Sequence, residues 1–143
     1  MKAHPAPRTI SIELPSDLQF LELVHCVAKE IPHALGAPEE DAEALGNAVL
    51  EAVGNAMRHG NRLDPSIPVS ISFLVDGTSA TVSVSDRGGG FDPALVDDPT
   101  AIENLLKSCG RGLFLMRTFV DSVEVSPRPG GGTTVTLRKS FSS

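Results

Sequence analysis

The chain has 143 residues, 41% apolar and 21% charged, the composition of one ordinary globular domain rather than of a disordered segment. Eighteen acidic residues against twelve basic ones give a formal charge of −6, and the six Phe stand without any Trp or Tyr, which argues against a basic nucleic-acid face and against an aromatic stacking platform. The two cysteines, Cys26 and Cys109, are too few for a zinc site and no apolar run reaches the length of a membrane span, so a soluble, cytoplasmic protein with no membrane contact is expected.

Residues 1–8 read as a flexible tail and 9–143 as the domain. Thr9 to Leu14 alternates, with Ile10, Ile12 and Leu14 on one face, and predicts a short strand ended by Pro15. Ser16 with Gln19 three residues on forms a capping-box pattern, and Leu18, Leu21, His25 and Ala28 follow helical spacing up to a stop before Pro32. Cys26 falls within this pattern and reads as a buried free thiol. A longer helix starts at Pro38, with Glu39, Glu40 and Asp41 at its positive end and an apolar stripe of Ala42, Leu45, Val49, Ala52, Val53 and Ala56. Arg58 and His59 suit its negative end, and Gly60 suits the C′ position.

Val69 to Val75 predicts a second strand, Asp76-Gly77 a hairpin turn and Ala80 to Asp86 the returning strand. Asp92 to Ser108 is polar, with a short helical pattern from Ile102 to Lys107. Gly112 to Val120 predicts a helix, Val123 and Val125 a strand, Pro127 to Gly132 a turn and Thr133 to Lys139 a last strand. The order β-α-α-β-β-α-β-β predicts an α+β two-layer sandwich: a mixed, mostly antiparallel sheet with its helices on one face.

Three places break the plain packing pattern. Period-2 geometry puts Asp86 on the same face as Ala80, Val82 and Val84, where a carboxylate needs a partner. It is either a strand-end cap for the glycines that follow or the floor of a pocket that accepts from a ligand N–H, with Gly88 and Gly90 admitting that ligand to the backbone. Glu51 and Asn55 lie one turn apart on one side of a helix. They form either a surface hydrogen bond or a site in which an amide oxygen meets Mg²⁺ and a carboxylate takes a proton from an attacking hydroxyl. Gly110-Arg111-Gly112 runs directly into a helix, whose free N–H groups suit phosphate. There is no P-loop pattern and no glycine fingerprint after a strand that would indicate a dinucleotide fold. Together the three places describe a nucleotide site.

The segments Glu51–Gly60, Asp86–Asp92, Gly110–Met116 and Gly131–Val135 resemble, in order and spacing, the N-box and the glycine boxes of the GHKL ATPase superfamily, shared by gyrase-type topoisomerases, chaperones and histidine kinases. The similarity spans about residues 9–139 and looks closest to the anti-sigma-factor serine/threonine kinases; the short chain favours these over larger members. The resemblance implies the Bergerat type of α/β sandwich and the cofactors ATP and Mg²⁺. It makes Asn55 the Mg²⁺ ligand and Glu51 the general base or water-positioning group. Asp86 would accept from the adenine amine, with Thr133 or Thr134 nearby through water. Gly88 and Gly90 would shape the base pocket. Gly110, Arg111 and Gly112 would meet the phosphates, Leu113 would be a further nucleotide-binding position, and Asp92 to Cys109 would form a short lid. The implied partners are a sigma factor, which the protein would sequester, and a STAS-domain anti-anti-sigma protein, which it would phosphorylate; a homodimer without direct nucleic-acid contact is expected. The alternatives are an ATP-binding anti-sigma module without kinase activity and a stand-alone ATPase domain acting on a separate phosphocarrier.

Overall fold

The structure is a computed structural model that describes residues 6–88 and 112–142, with side chains in the second stretch from Met116 onward. The expected lid from Asp92 to Cys109, its short helix, Gly90, Gly110 and Arg111 lie outside the described residues, as does the first part of the tail.

Five strands form one sheet in the order β1-β2-β3-β5-β4. They are β1 (Arg8–Pro15), β2 (Pro68–Asp76), β3 (Ser79–Ser85), β4 (Ser122–Pro127) and β5 (Thr133–Ser140). All four ladders are antiparallel, so no parallel pair contributes among the described residues. Alternation fixes the register: Ile71 faces Val84, Phe73 faces Val82 and Val75 faces Ala80, all buried on the helix side. Val82 also faces Leu137 of β5, and this stripe carries the core; full burial of a side chain such as Phe73 contributes about 1.5–3 kcal/mol. The other face carries Ser70, Ser72, Ser83, Ser85 and Thr134. The β2–β3 loop is Gly77-Thr78, between the paired Asp76 and Ser79, with Gly77 at φ +60° in the first loop position.

Helices α1 (Leu21–Ala34), α2 (Glu39–Asn55) and α3 (Gly112–Phe119) cover the apolar face, with α2 packed between α1 and α3. The start of α1 departs from the sequence expectation. Asp17, not Ser16, caps the short 3₁₀ turn Leu18–Phe20 by accepting from Gln19 N at 3.0 Å, while Ser16 is buried and donates to Ile67 O at 2.6 Å. The helix also runs through Pro32 to Ala34 and closes in a Schellman motif, with Ala37 N on Pro32 O at 2.9 Å and Gly36 N on His33 O at 3.0 Å. Pro32 is buried there, and its carbonyl accepts the cap bond from Ala37. Cys26 is exposed rather than buried: α1 buries Val24, Ala28 and Ile31, and Cys26 lies on the opposite side of the helix.

Candidate functional site

The last turn of α2 brings the site together. Residues Ala56–Gly60 widen into a π turn, with Asn61 N on Ala56 O at 2.8 Å, and the chain leaves it through Arg62 and Leu63, both left-handed. Gly60 is therefore not the C′ glycine that the local pattern suggests. Its work is tertiary: a Cβ there would stand 2.3 Å from the Asp86 carboxyl carbon. Gly88 packs its own backbone against the Gly60 carbonyl, and a Cβ at Gly132 would lie 2.1 Å from the Asp86 carbonyl oxygen. Three glycines from three segments thus surround one aspartate.

Asp86 is 7% exposed, and it directly follows β3 on the helix side as period-2 reasoning expects. Its Oδ1 accepts from Gly88 N and from Thr133 N, each at 3.2 Å, and its own N–H donates to Thr133 O at 3.0 Å. Oδ2 has no hydrogen-bond partner among the described residues and sits beside Gly60. Burial raises the Asp86 pKa above the ordinary carboxylate value; the Thr133 and Gly88 N–H groups and the charge of Arg128 pull against that rise. The cap and pocket-floor readings of Asp86 are therefore compatible: one oxygen holds the loop and the other is left to accept.

Thr133 adjoins Asp86 through its backbone. Thr134 points the other way. It pairs with Ser85 across the ladder, and their hydroxyls lie 2.8 Å apart on the polar face of the sheet, so of the two threonines only Thr133 belongs beside the carboxylate. A shallow cavity of about 380 Å³ on that polar face, lined by Ser11, Glu13, Ser70, Ser72, Ser83 and Ser85, is likewise on the wrong side of the sheet from Asp86.

Glu51 and Asn55 are half-buried on α2, and Asn55 is its last residue, directly before the π turn that reaches Asp86. No hydrogen bond joins them, so the surface-pair reading does not hold among the described residues. Both side chains remain available to a ligand, and an amide oxygen with a neighbouring carboxylate suits a hard cation that keeps phosphates and waters in its shell. Gly112 opens α3, which packs on α2; the Leu113 side chain lies outside the described residues. Sequence reasoning missed Gly60 and Gly132 as walls of the site, and it missed Asn61. The first two lie inside the segments Glu51–Gly60 and Gly131–Val135, where local pattern accounts for them as a helix end and a turn.

The sequence model of the histidine kinase-like ATPase domain matches residues 14–139. The serine-protein kinase RsbW of Halalkalibacterium halodurans is 30% identical over 137 residues, covering 91% of this chain and 82% of that protein. The anti-sigma F factor of a Thermoanaerobacter species is 32% identical over 110 residues, 73% of each chain. Among solved structures, the RsbU and RsbW domains of Rv1364c from Mycobacterium tuberculosis superpose with a TM-score of 0.69 at 22% identity; the match covers 95% of this chain and 33% of that one, and shows the shared fold.

Proposed function

Because the chain belongs to the histidine kinase-like ATPase family, beside the RsbW serine-protein kinases and anti-sigma F factors, we propose that it is an ATP-dependent protein serine/threonine kinase working in a partner switch. It sequesters a sigma factor and is released by phosphorylating a STAS-domain antagonist. The observation that carries the nucleotide part is the buried Asp86, enclosed by Gly60, Gly88 and Gly132 with one carboxyl oxygen unpaired among the described residues. That oxygen accepts from the exocyclic amine of adenine, and the absent side chains let the Gly60, Gly88 and Gly132 backbones close in around the carboxylate.

In this reading Asn55 would hold Mg²⁺ through its amide oxygen, and the cation would neutralise charge on the phosphates. Gly110, Arg111 and Gly112 would meet the phosphates, and Gly90 would help shape the base pocket. The substrate hydroxyl oxygen attacks the γ-phosphorus, the bond to the β–γ bridging oxygen breaks, and ADP departs. Glu51 takes the hydroxyl proton. The anti-sigma role is supported by the relatives' names, and the STAS antagonist by the resemblance in sequence.

The test is phosphotransfer from labelled ATP with Mg²⁺ to a STAS-domain protein captured on this chain from native lysate. Glu51→Ala should keep ADP affinity and lose transfer by about 10²–10⁴-fold. Transfer at the wild-type rate would refute the base assignment. Tight ATP binding by the wild type with no phosphoserine or phosphothreonine formed would leave a binding module in place of a kinase.

A further inference from the structure

The π turn that ends α2 delivers Asn61 into the interior, where it is 2% exposed. Its Nδ2 donates to Ser16 Oγ at 3.0 Å and lies 3.2 Å from the carbonyl oxygens of Ile67 and Pro68. Its Oδ1 accepts from the backbone N–H of Arg87 at 2.9 Å. Both ends of one short amide are used, and they join four segments: the π turn, the β1–α1 junction, the start of β2 and the residue after Asp86. Only an amide offers donors and an acceptor on so short an arm.

The bond to Arg87 bears on the site. Arg87 follows Asp86 directly, and the next residue, Gly88, donates to Asp86 Oδ1. The 86–88 segment is thus held from one side by Asn61 and from the other by Thr133 N. The two bonds that orient the carboxylate are 3.2 Å each, at the long end of the normal range, so a small drift of this segment releases them. The ion pair from Arg87 to Glu13, at 2.9 Å, is exposed and cannot substitute for the buried amide.

We propose that Asn61 is a positioning residue for base recognition. By holding the Arg87 N–H it keeps the Asp86 carboxylate against Gly60, and so sets the preference for a purine with an exocyclic amine over one with a carbonyl in the same place. The proposal rests on the adenine-nucleotide reading above. A fixed carboxylate accepts from the amine and repels the carbonyl, whereas a drifting one tolerates either through water.

ADP and IDP differ in that amine, and calorimetric titration with both, in the presence of Mg²⁺, reads the preference directly. The wild type is compared with Asn61→Ala and with the pair Arg87→Ala and Arg87→Pro. Both Arg87 variants lose the Glu13 ion pair, but only proline lacks the N–H; Arg87 lies outside the left-handed region that would exclude proline outright. Asn61→Ala and Arg87→Pro should each lose roughly three- to tenfold of the ADP preference, the worth of one hydrogen bond, while Arg87→Ala keeps it. A merely structural Asn61 would lower the melting temperature and weaken both nucleotides alike; an unchanged ratio in folded Asn61→Ala, or in Arg87→Pro where the first variant does not fold, overturns the proposal. If the wild type itself fails to prefer ADP, the adenine reading is wrong and the proposal falls with it, an outcome that needs no substituted protein to see.

Discussion

Gly60→Ala adds one methyl group where the site has no room for it. The new Cβ would stand 2.3 Å from both Cγ and Oδ2 of Asp86. Carbon atoms pack comfortably at about 3.5 Å or more, so the carboxylate or the π turn has to move by about 1 Å. Neither has slack. Asp86 Oδ1 is tied to Gly88 N and Thr133 N, and the Gly60 carbonyl is pressed against Gly88, where a Cβ would lie only 1.5 Å away. Overpacking of this kind costs about 1–3 kcal/mol. For a domain of this size that lowers the melting temperature by roughly 3–12 °C. The larger effect falls on binding. A charge-assisted hydrogen bond contributes about 1.5–3 kcal/mol, so displacing the carboxylate should weaken ADP roughly ten- to hundredfold. Gly36→Ala is the control. Gly36 has φ +75° and open space around it, so alanine there strains the backbone by about 1–2 kcal/mol without touching Asp86. Melting curves and ADP calorimetry on both variants separate the effects. Wild-type ADP affinity in Gly60→Ala, or equal loss of affinity in both variants, would refute the close-approach reasoning.

Two buried carboxylates give further tests. Because burial raises the Asp86 pKa, ADP affinity should fall on acidification at a higher pH than an ordinary aspartate would give, and Asp86→Asn should abolish that dependence along with most of the affinity; titrations across the acid range check it. The sign for stability is opposite: the folded state holds this proton more tightly than the unfolded one, so the cost of burying the charge is fully present above the raised pKa and vanishes below the unfolded value near 3.9. Asp41, 8% exposed in the first turn of α2, accepts from Ser142 N at 2.8 Å and lies 3.7 Å from Lys139 Nζ, so it fastens the end of the chain to the helix. Asp41→Ala should cost about 1–3 kcal/mol in thermal melting and leave ADP affinity intact; a loss of binding would mean that this anchor reaches the site.

What the sequence makes legible is local. The alternation of Val69, Ile71, Phe73 and Val75, and of Ala80, Val82 and Val84, is a period-2 signal contained in a few residues, and one further step of it puts Asp86 on the helix side, where it lies. The spacing of Glu51 and Asn55 is legible for the same reason, since a helix relates them without help from elsewhere. Local patterns mislead where a distant segment decides. Cys26 sits among apolar neighbours in sequence, but α1 turns Val24, Ala28 and Ile31 inward and leaves Cys26 on the opposite side. Ser16 has the pattern of a cap because nothing nearby shows that Ile67 and Asn61, some 45 to 51 residues later, claim its hydroxyl. Gly60 is harder still. Its place after Arg58 and His59 explains a glycine well enough as a helix end, yet its φ is not left-handed and its role is to let Asp86 approach. A close approach that depends on an absent side chain leaves no pattern of its own in the chain. It becomes visible only when the atom that occupies the vacated space is known, and here that atom belongs to a residue 26 positions away.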